Sequence, residues 1–203
     1  MARPKTYDDR LRQALLATAA EVIAASGADE LALRPLAQRA GTSTNAVYSL
    51  FGSKAGLVAA VVGEAAASFT AAQRDVPATD NPLGDLAGLG RAYRDWALAH
   101  PALYAVMFGD RVRVDEAHGA SYDGSMEPLL AAVARAMDAG VLRRGDQLLV
   151  ATSIWAGIHG LVSLEIAGRL ACDPQAGDVV EEHLNAVVAY WLADPTLVSR
   201  RPG

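Results

Sequence analysis

Short polar and amphipathic side chains recur on one face of a helix that we expect to begin at Ser43 or Thr44 and to reach Leu50. The side chains on this face are Thr44, Asn45, Tyr48 and Ser49. Groups of this kind can reach base edges and phosphates when their helix lies in the major groove of DNA. Lys54 begins the next predicted helix, where an ammonium can meet a backbone phosphate.

Around this face, three residues have the spacing that a helix-turn-helix requires. Ala37 is small enough for two helices to touch, and Gly41 permits a positive φ where the chain leaves the first helix. Val47 supplies the apolar side chain that fixes the crossing of the second helix. A plain helical hairpin with a solvated polar face is the alternative, because the same spacing also arises by chance.

The charge is distributed unevenly along the chain. A net charge of -5 argues against a general nucleic-acid binder. Residues 1–54, however, carry seven basic and five acidic side chains, a net charge of +2, so the remainder carries -7. This asymmetry predicts a DNA-facing N-terminal part, to which Arg3 and Lys5 can add salt-sensitive contacts.

The stretch from Leu33 to Leu57 resembles the DNA-binding domain of the tetracycline-repressor (TetR) family. The matching positions are Ala37, Gly41, Ser43, Val47, Tyr48, Phe51, Lys54 and Leu57. The resemblance implies that Thr44, Asn45 and Tyr48 face bases or adjacent phosphates. It also implies that Ser43 and Lys54 hold phosphate and that Arg34 stands at a DNA-contacting position. Two residues depart from the family pattern: Ala32 replaces a capping Ser or Thr, and Leu50 replaces a more polar or aromatic residue.

Aromatic, methionine and histidine side chains in the second half of the chain form a predicted ligand-binding set. The set comprises Tyr93, Trp96, His100, Tyr104, Met107, Phe108, Met126, Trp155 and His159. Such residues can line an apolar cavity between helices, but they can equally form an ordinary core. His159 lies four residues after Trp155, on the same helical face. A core histidine bonded to a neighbouring carbonyl is an equal alternative for His159.

The pattern Trp155-x-x-x-His159-Gly160, followed by Glu165, is similar to the WHG-type C-terminal domain of one TetR branch. This resemblance implies a homodimer that responds to an unidentified small molecule. The apolar patterns of the last two predicted helices favour a four-helix dimer interface formed by both chains, but the same helices can also pack only within their own domain. The family default implies a repressor that the ligand releases from a palindromic, double-stranded operator. Glycines at 157, 160 and 168 weaken this predicted helix, which suggests the close approach of another backbone or a ligand.

The elements that position these residues are all predicted helices, so the fold class is all-α. We expect a helix-turn-helix DNA-binding domain over residues 1–54 and a helix over 54–72 that connects it to a ligand-binding and dimerisation domain over 55–203. The composition of residues 75–82, with two prolines and an Asp-Asn pair, predicts a linker. Further helices are expected at about 83–99, 101–108, 122–139, 146–171 and 178–192.

Several other classes of protein fit the sequence less well. An enzyme using His159, Glu165 and Asp95 as acid–base groups lacks a nucleophile motif or phosphate loop, so we predict no catalytic site, metal site or cofactor. A helical scaffold that binds only protein is a second rival. The apolar stretch Leu148–Ile166 is interrupted by His159 and reads as a buried helix, with no membrane partner. The single Cys172 suits a reducing cytoplasm.

Overall fold

The computed structural model describes residues 5–109, 112, 124–170 and 176–194. These residues form nine α-helices and no strand, which confirms the predicted all-α class. The helices are α1 Lys5–Ser26, α2 Leu33–Arg39, α3 Thr44–Phe51, α4 Lys54–Arg74, α5 Pro82–Ala99, α6 Pro101–Phe108, α7 Glu127–Asp138, α8 Gln147–Ile166 and α9 Ala176–Trp191. Arg3, Cys172 and most of the predicted loop over 109–121 lie outside the described residues, and Lys5 is the first residue of α1.

Local side-chain chemistry explains where several helices begin and end. Gly27 follows α1 with a φ of 91°, a left-handed conformation that favours glycine at a helix C-terminus. The Ser53 hydroxyl accepts a hydrogen bond from the backbone N–H of Gly56 at 2.9 Å and so caps the start of α4. The Asp146 carboxylate caps α8 by accepting from the N–H groups of Leu148 and Leu149. At α2, Ala32 provides no side-chain cap, as its residue type implies.

The chain divides into two compact units. The first comprises Met1–Ser68 and His100–Ser125, and the second comprises Phe69–Ala99 and Met126–Gly203. Helix α4 contributes residues to both units, and α6 belongs to the first, where it packs against α1. These units therefore differ from the predicted division after residue 54. The compact units are defined by contacts, whereas the predicted division separates a DNA-binding part from a ligand-binding part and stays a proposal.

In the first unit, a continuous apolar core holds the short helices α2 and α3 in place. Helix α1 packs against α2, and α2 packs against α3. The buried side chains of this core include Leu15, Leu16, Ala19, Ile23, Leu31, Leu36, Ala37, Val47, Leu57, Val61 and Val106. Because a helix of only seven or eight residues is unstable alone, α2 and α3 depend on this packing.

In the second unit, α5, α7, α8 and α9 form a helical bundle. Its core includes Leu86, Leu89, Val133, Ala136, Met137, Leu142, Val150, Ile154 and Leu192. Two glycines let α9 approach its neighbours closely. A Cβ atom on Gly90 would lie 2.4 Å from Cδ1 of Leu184, and one on Gly157 would lie 3.1 Å from Nε2 of His183.

Helices α4 and α8 are long and apolar enough to cross a membrane, judged by length and composition alone. Each also has a face that packs within the units described above. The buried residues of α8 are Val150, Ala151, Ile154, Ile158 and Val162. Packing of this kind accounts for apolar helices in soluble proteins as well.

Candidate nucleic-acid interface and ligand site

The turn between α2 and α3 has the geometry that a helix-turn-helix needs. Gly41 has a φ of 65°, and the N–H of Thr42 donates to the carbonyl of Ala37 at 2.8 Å. Ala37 is buried, and Val47 is fully buried at the centre of α3. The three positions predicted from their spacing therefore occupy the expected places in the turn and in the core.

The opposite face of α3 is open to solvent. Tyr48 is 52% exposed, Asn45 and Ser49 are exposed, and Thr44 is half-buried. Ser43, rather than Thr44, is the residue before the helix, and its Oγ accepts from the N–H of Ala46 at 3.3 Å. This face thus presents an amide, a phenol and two hydroxyls in one row, groups that can bond to base edges and phosphates.

Contacts with α1 and the adjoining turns fix the orientation of α3. The Arg12 guanidinium lies over the ring of Phe51, 5.8 Å from its centroid, in a cation–π arrangement. Beyond α3, Gly56 makes a close approach that the sequence analysis missed. A Cβ atom there would lie 2.0 Å from the carbonyl oxygen of Phe51. The only sequence signal was a glycine in the first turn of a helix, where it lowers helix propensity.

The basic residues predicted to contact phosphate differ in their surroundings. Arg34 is exposed near the start of α2. Lys54 is half-buried, and its Nζ donates to the carbonyl of Asp29 at 2.7 Å, so it ties α4 to the turn before α2. An ammonium has three N–H donors, which leaves Lys54 capable of a phosphate contact as well. Arg39, in contrast, pairs with Glu21 at 2.6 Å.

The residues of the predicted ligand-binding set fall in both units. Tyr93, Trp96, Met126, Trp155 and His159 belong to the second unit. His100, Tyr104, Met107 and Phe108 belong to the first, at or within α6. There the rings of Tyr104 and Phe108 lie 5.0 Å apart.

In the second unit, a hydrogen-bonded aromatic cluster brings together members of the predicted set. The Oη of Tyr93 lies 2.9 Å from Nδ1 of His159, and the ring of Trp155 lies 5.3 Å from that of His159. Phe69, from the last turns of α4, packs edge-on against Tyr93 at 5.3 Å and against Trp96 at 5.1 Å. Phe69 is not a member of the ligand-binding set predicted from the sequence, and its contact with this cluster joins elements that are distant in the chain.

Burial lowers the pKa of His159, because desolvation disfavours the charged imidazolium. The imidazole is therefore neutral at pH 7 and pairs with the phenol of Tyr93 as a neutral hydrogen-bonding group. The Tyr93 hydroxyl is thus one hydrogen-bonding partner of His159.

We expect the lowered pKa of His159 to make the folded protein less stable as the pH falls through about 6.5, the ordinary value of a histidine. Below that pH the unfolded chain takes up a proton that folded His159 resists, so the free energy of unfolding decreases. Urea unfolding of wild type and His159→Gln between neutral and mildly acidic pH measures the difference. The decrease should be smaller in the variant, and identical pH profiles would contradict the assignment.

Glu165, considered above as an acid–base group, is held by an arginine. Nε of Arg94 donates to Oε2 of Glu165 at 2.8 Å, and Nη2 of Arg94 contacts Oε1. This two-point hydrogen bond raises the pKa of Arg94 above its usual value. The carboxylate is therefore a partner in a structural ion pair. The described residues include no group of three or more metal-ligating side chains.

The three glycines in and just after α8 have different surroundings. Because Gly157 has no side chain, His183 and Val187 pack close to its backbone, which is the close approach that the sequence suggested. Gly168 has a φ of 63° just after the helix, a conformation that favours glycine. Gly160 is exposed, and no atom lies within 4 Å of the place a Cβ would take.

A helix-turn-helix with an open polar recognition face, joined to a helical second unit, defines a DNA-binding transcriptional regulator. Two family models match this chain. "Bacterial regulatory proteins, tetR family" matches residues 15–61, and "Tetracyclin repressor-like, C-terminal domain" matches residues 86–187. The chain belongs to the TetR family of transcriptional regulators. The models describe regulators and not enzymes.

Several known proteins are similar to this chain in sequence or in structure. The HTH-type transcriptional regulator Rv1816 of Mycobacterium tuberculosis is 26% identical, and the match covers 72% of this chain and 76% of the relative. A solved structure of a protein with unknown function from Rhodococcus sp. RHA1 is 30% identical, with a TM-score of 0.73 and coverage of 91% and 96%. SmeT, the repressor of the Stenotrophomonas maltophilia multidrug efflux pump SmeDEF, shares the fold at 23% identity, with a TM-score of 0.68 and coverage of 89% and 90%.

Proposed function

We propose that this protein is a homodimeric repressor that binds a palindromic operator and is released from it by a small molecule. The observation that carries the proposal is the exposed polar face of α3, opposite the buried Val47. A helix that is anchored on one side and open on the other can enter a major groove without unfolding its domain. Action on operator DNA places the protein in the cytoplasm.

Within the DNA interface, we assign base contacts to Thr44, Asn45, Tyr48 and Ser49. The exposure of Asn45 and Tyr48 supports this assignment, since an amide can bond to adenine in two places and a phenol can reach bases or phosphate. Ser43, Lys54 and Arg34 are assigned to phosphate, where they position the helix without reading sequence.

We expect Tyr48→Ala to weaken operator binding by about tenfold to a hundredfold, the range for a lost base contact of about 1–3 kcal/mol. Because the phosphate contacts remain, the salt dependence of binding should change little. Fluorescence anisotropy on a DNA sequence selected from a random pool measures both quantities. Tyr48→Phe separates the contribution of the hydroxyl from that of the ring.

Ser26→Ala is the control for Tyr48→Ala, since Ser26 is an exposed polar residue at the end of α1. This surface change should leave both stability and DNA affinity nearly unaltered. Wild-type affinity of Tyr48→Ala, with an unchanged melting temperature, would show that α3 is not the recognition helix.

For the dimer, we assign the interface to α8 and α9. Helix α8 has an exposed, mainly apolar or small-residue face formed by Leu148, Leu149, Thr152, Ala156, Gly160 and Leu164. Val179 is a large apolar residue exposed on α9. Two helices from each chain can close into a four-helix interface with two-fold symmetry. Such symmetry sets two recognition helices about 34–36 Å apart, the spacing of successive major grooves.

For the ligand, we assign binding to the cluster around Tyr93, Trp155 and His159. A ligand that displaces the Tyr93 ring would also disturb Phe69, which packs against it from α4. Helix α4 continues from Lys54 to Arg74, so a shift at Phe69 can tilt the helix that leads from the DNA-binding part. DNA affinity then falls if the ligand binds the tilted state more tightly.

A further inference from the structure

The second unit contains a cavity of about 180 Å³, partly open to solvent, that the proposed function does not use. It is bounded by the end of α4, the linker over residues 75–81, α5 and α7. None of the residues of the Tyr93–His159 cluster lines it. The kind of ligand that this cavity can bind therefore depends on the side chains that line it.

Gln73, a buried glutamine whose side-chain amide makes one hydrogen bond among the described residues, lines this cavity. Gln73 is only 5% exposed, and its Nε2 donates to the carbonyl of Leu89 at 3.3 Å. No group among the described residues donates to its Oε1. Because a buried amide oxygen is costly to leave without a donor, a molecule in the cavity that carries an O–H or N–H group would be favoured.

The charged groups that line the cavity are already paired with each other. Arg74 bonds to Glu127 at 3.0 Å, and Arg135 bonds to Asp85 at 3.3 Å. Their charges sum to zero, so the site offers no net charge to attract a charged ligand. A neutral ligand meets no such penalty.

The size and walls of the cavity restrict the ligand further. A cavity of about 150 Å³ accommodates benzene, so this one has room for one six-membered ring with a small substituent. Pro77, Leu89 and Pro128 supply apolar walls, and the guanidinium groups of Arg74 and Arg135 can lie against an aromatic face. We propose that this cavity binds a small neutral aromatic compound bearing one donor group, such as a phenol or an aniline, with the donor on Oε1 of Gln73.

Titration of the full-length protein with phenol and with toluene, followed by ligand-observed NMR, tests the proposal. The two probes have nearly the same shape, but only phenol can donate to Gln73. We expect phenol to bind about tenfold more tightly, the effect of one buried hydrogen bond. In Gln73→Met, which keeps the volume and removes the acceptor, the two affinities should become equal.

Ala131→Leu locates the binding, because Ala131 lines the cavity and a larger side chain there fills it. Both probes should lose affinity in this variant and keep it in Ala139→Leu, an exposed position just after the same helix. Equal affinities for the two probes in wild type, no phenol binding, or phenol binding that survives Ala131→Leu would each overturn the proposal. The comparison of phenol and toluene affinities in wild type tests the proposal even if Gln73→Met does not fold. Since no DNA is present, failure here is distinguishable from failure of the regulatory function.

Discussion

The Gly160→Arg variant is expected to fold normally but to lose about 10²–10⁴-fold of its affinity for a palindromic operator, the usual contribution of a second linked binding site. Gly160 is exposed, and a Cβ atom there would meet nothing within 4 Å in its own chain. It lies on the α8 face assigned to the dimer, between Ala156 and Leu164. In the dimer, each arginine would be buried against the partner chain, so steric conflict and the cost of an unpaired buried charge would separate the chains.

Sedimentation analysis and DNA titration measure these two effects on the same sample. The variant should sediment as a monomer and should bind a full operator no more tightly than a single half-site. Ala139→Arg is the matched control, because it adds the same side chain at an exposed position outside α8 and α9. A dimeric Gly160→Arg protein with wild-type operator affinity would contradict the assigned interface.

The second large effect is expected at Asp85, where Asp85→Ala should lower the free energy of unfolding by about 2 kcal/mol, as for hydrogen bonds to a charged group. Asp85 is only 4% exposed, and it anchors the linker between α4 and α5. Its carboxylate accepts from the N–H of Thr79 at 2.9 Å and from the Thr79 hydroxyl at 2.7 Å. Arg135 donates to the same carboxylate, so the substitution removes the acceptor from three donors.

The stabilisation by Asp85 should also depend on pH. The hydrogen bond from the backbone of Thr79, more than any other contact, lowers the pKa of this carboxyl below its usual value. The contribution is therefore fully present above the unfolded pKa of about 3.9 and is lost as the pH falls through the lower folded value. Urea unfolding of wild type and Asp85→Ala at neutral and acidic pH should give curves that converge in acid.

Asp80→Ala, at an exposed position in the same linker, is the control for this stability measurement. It should unfold like wild type at neutral pH, because an exposed side chain contributes little to stability. If Asp85→Ala and Asp80→Ala were equally stable, the hydrogen bonds of Asp85 would not be holding the linker in place.

The helix-turn-helix could be predicted from the sequence because its determinants are local. A small residue, a permissive glycine and a buried valine act within a few turns of one another, and Ala37, Gly41 and Val47 lie at those places. Periodicity and helix-ending residues also located most helix ends to within a few residues. Two ends differ by five residues: α7 begins at Glu127 rather than near residue 122, and α8 ends at Ile166 rather than near residue 171. Residues 122 and 123 lie outside the described part of the chain.

The contacts among the predicted ligand-binding residues could not be predicted from the sequence, because residue type does not reveal which aromatic side chains meet. Tyr93 and His159 are 66 positions apart in the chain, yet their side chains are hydrogen-bonded. Of the nine predicted residues, four belong to the unit that contains α1, namely His100, Tyr104, Met107 and Phe108, and five belong to the second unit. Composition alone cannot distinguish these cases, since a buried aromatic ring looks the same in a core and in a pocket.

The sequence by itself determined the helices, the turn at Gly41 and the membership of the TetR family, because short-range spacing encodes all three. Only the tertiary structure decided that Phe69 on α4 contacts Tyr93, that Arg94 pairs with Glu165 and that Gln73 lines a cavity. The physical reason is chain distance. Contacts between helices far apart in sequence depend on how whole helix faces pack, and one-dimensional periodicity gives the face of a helix without naming its partner.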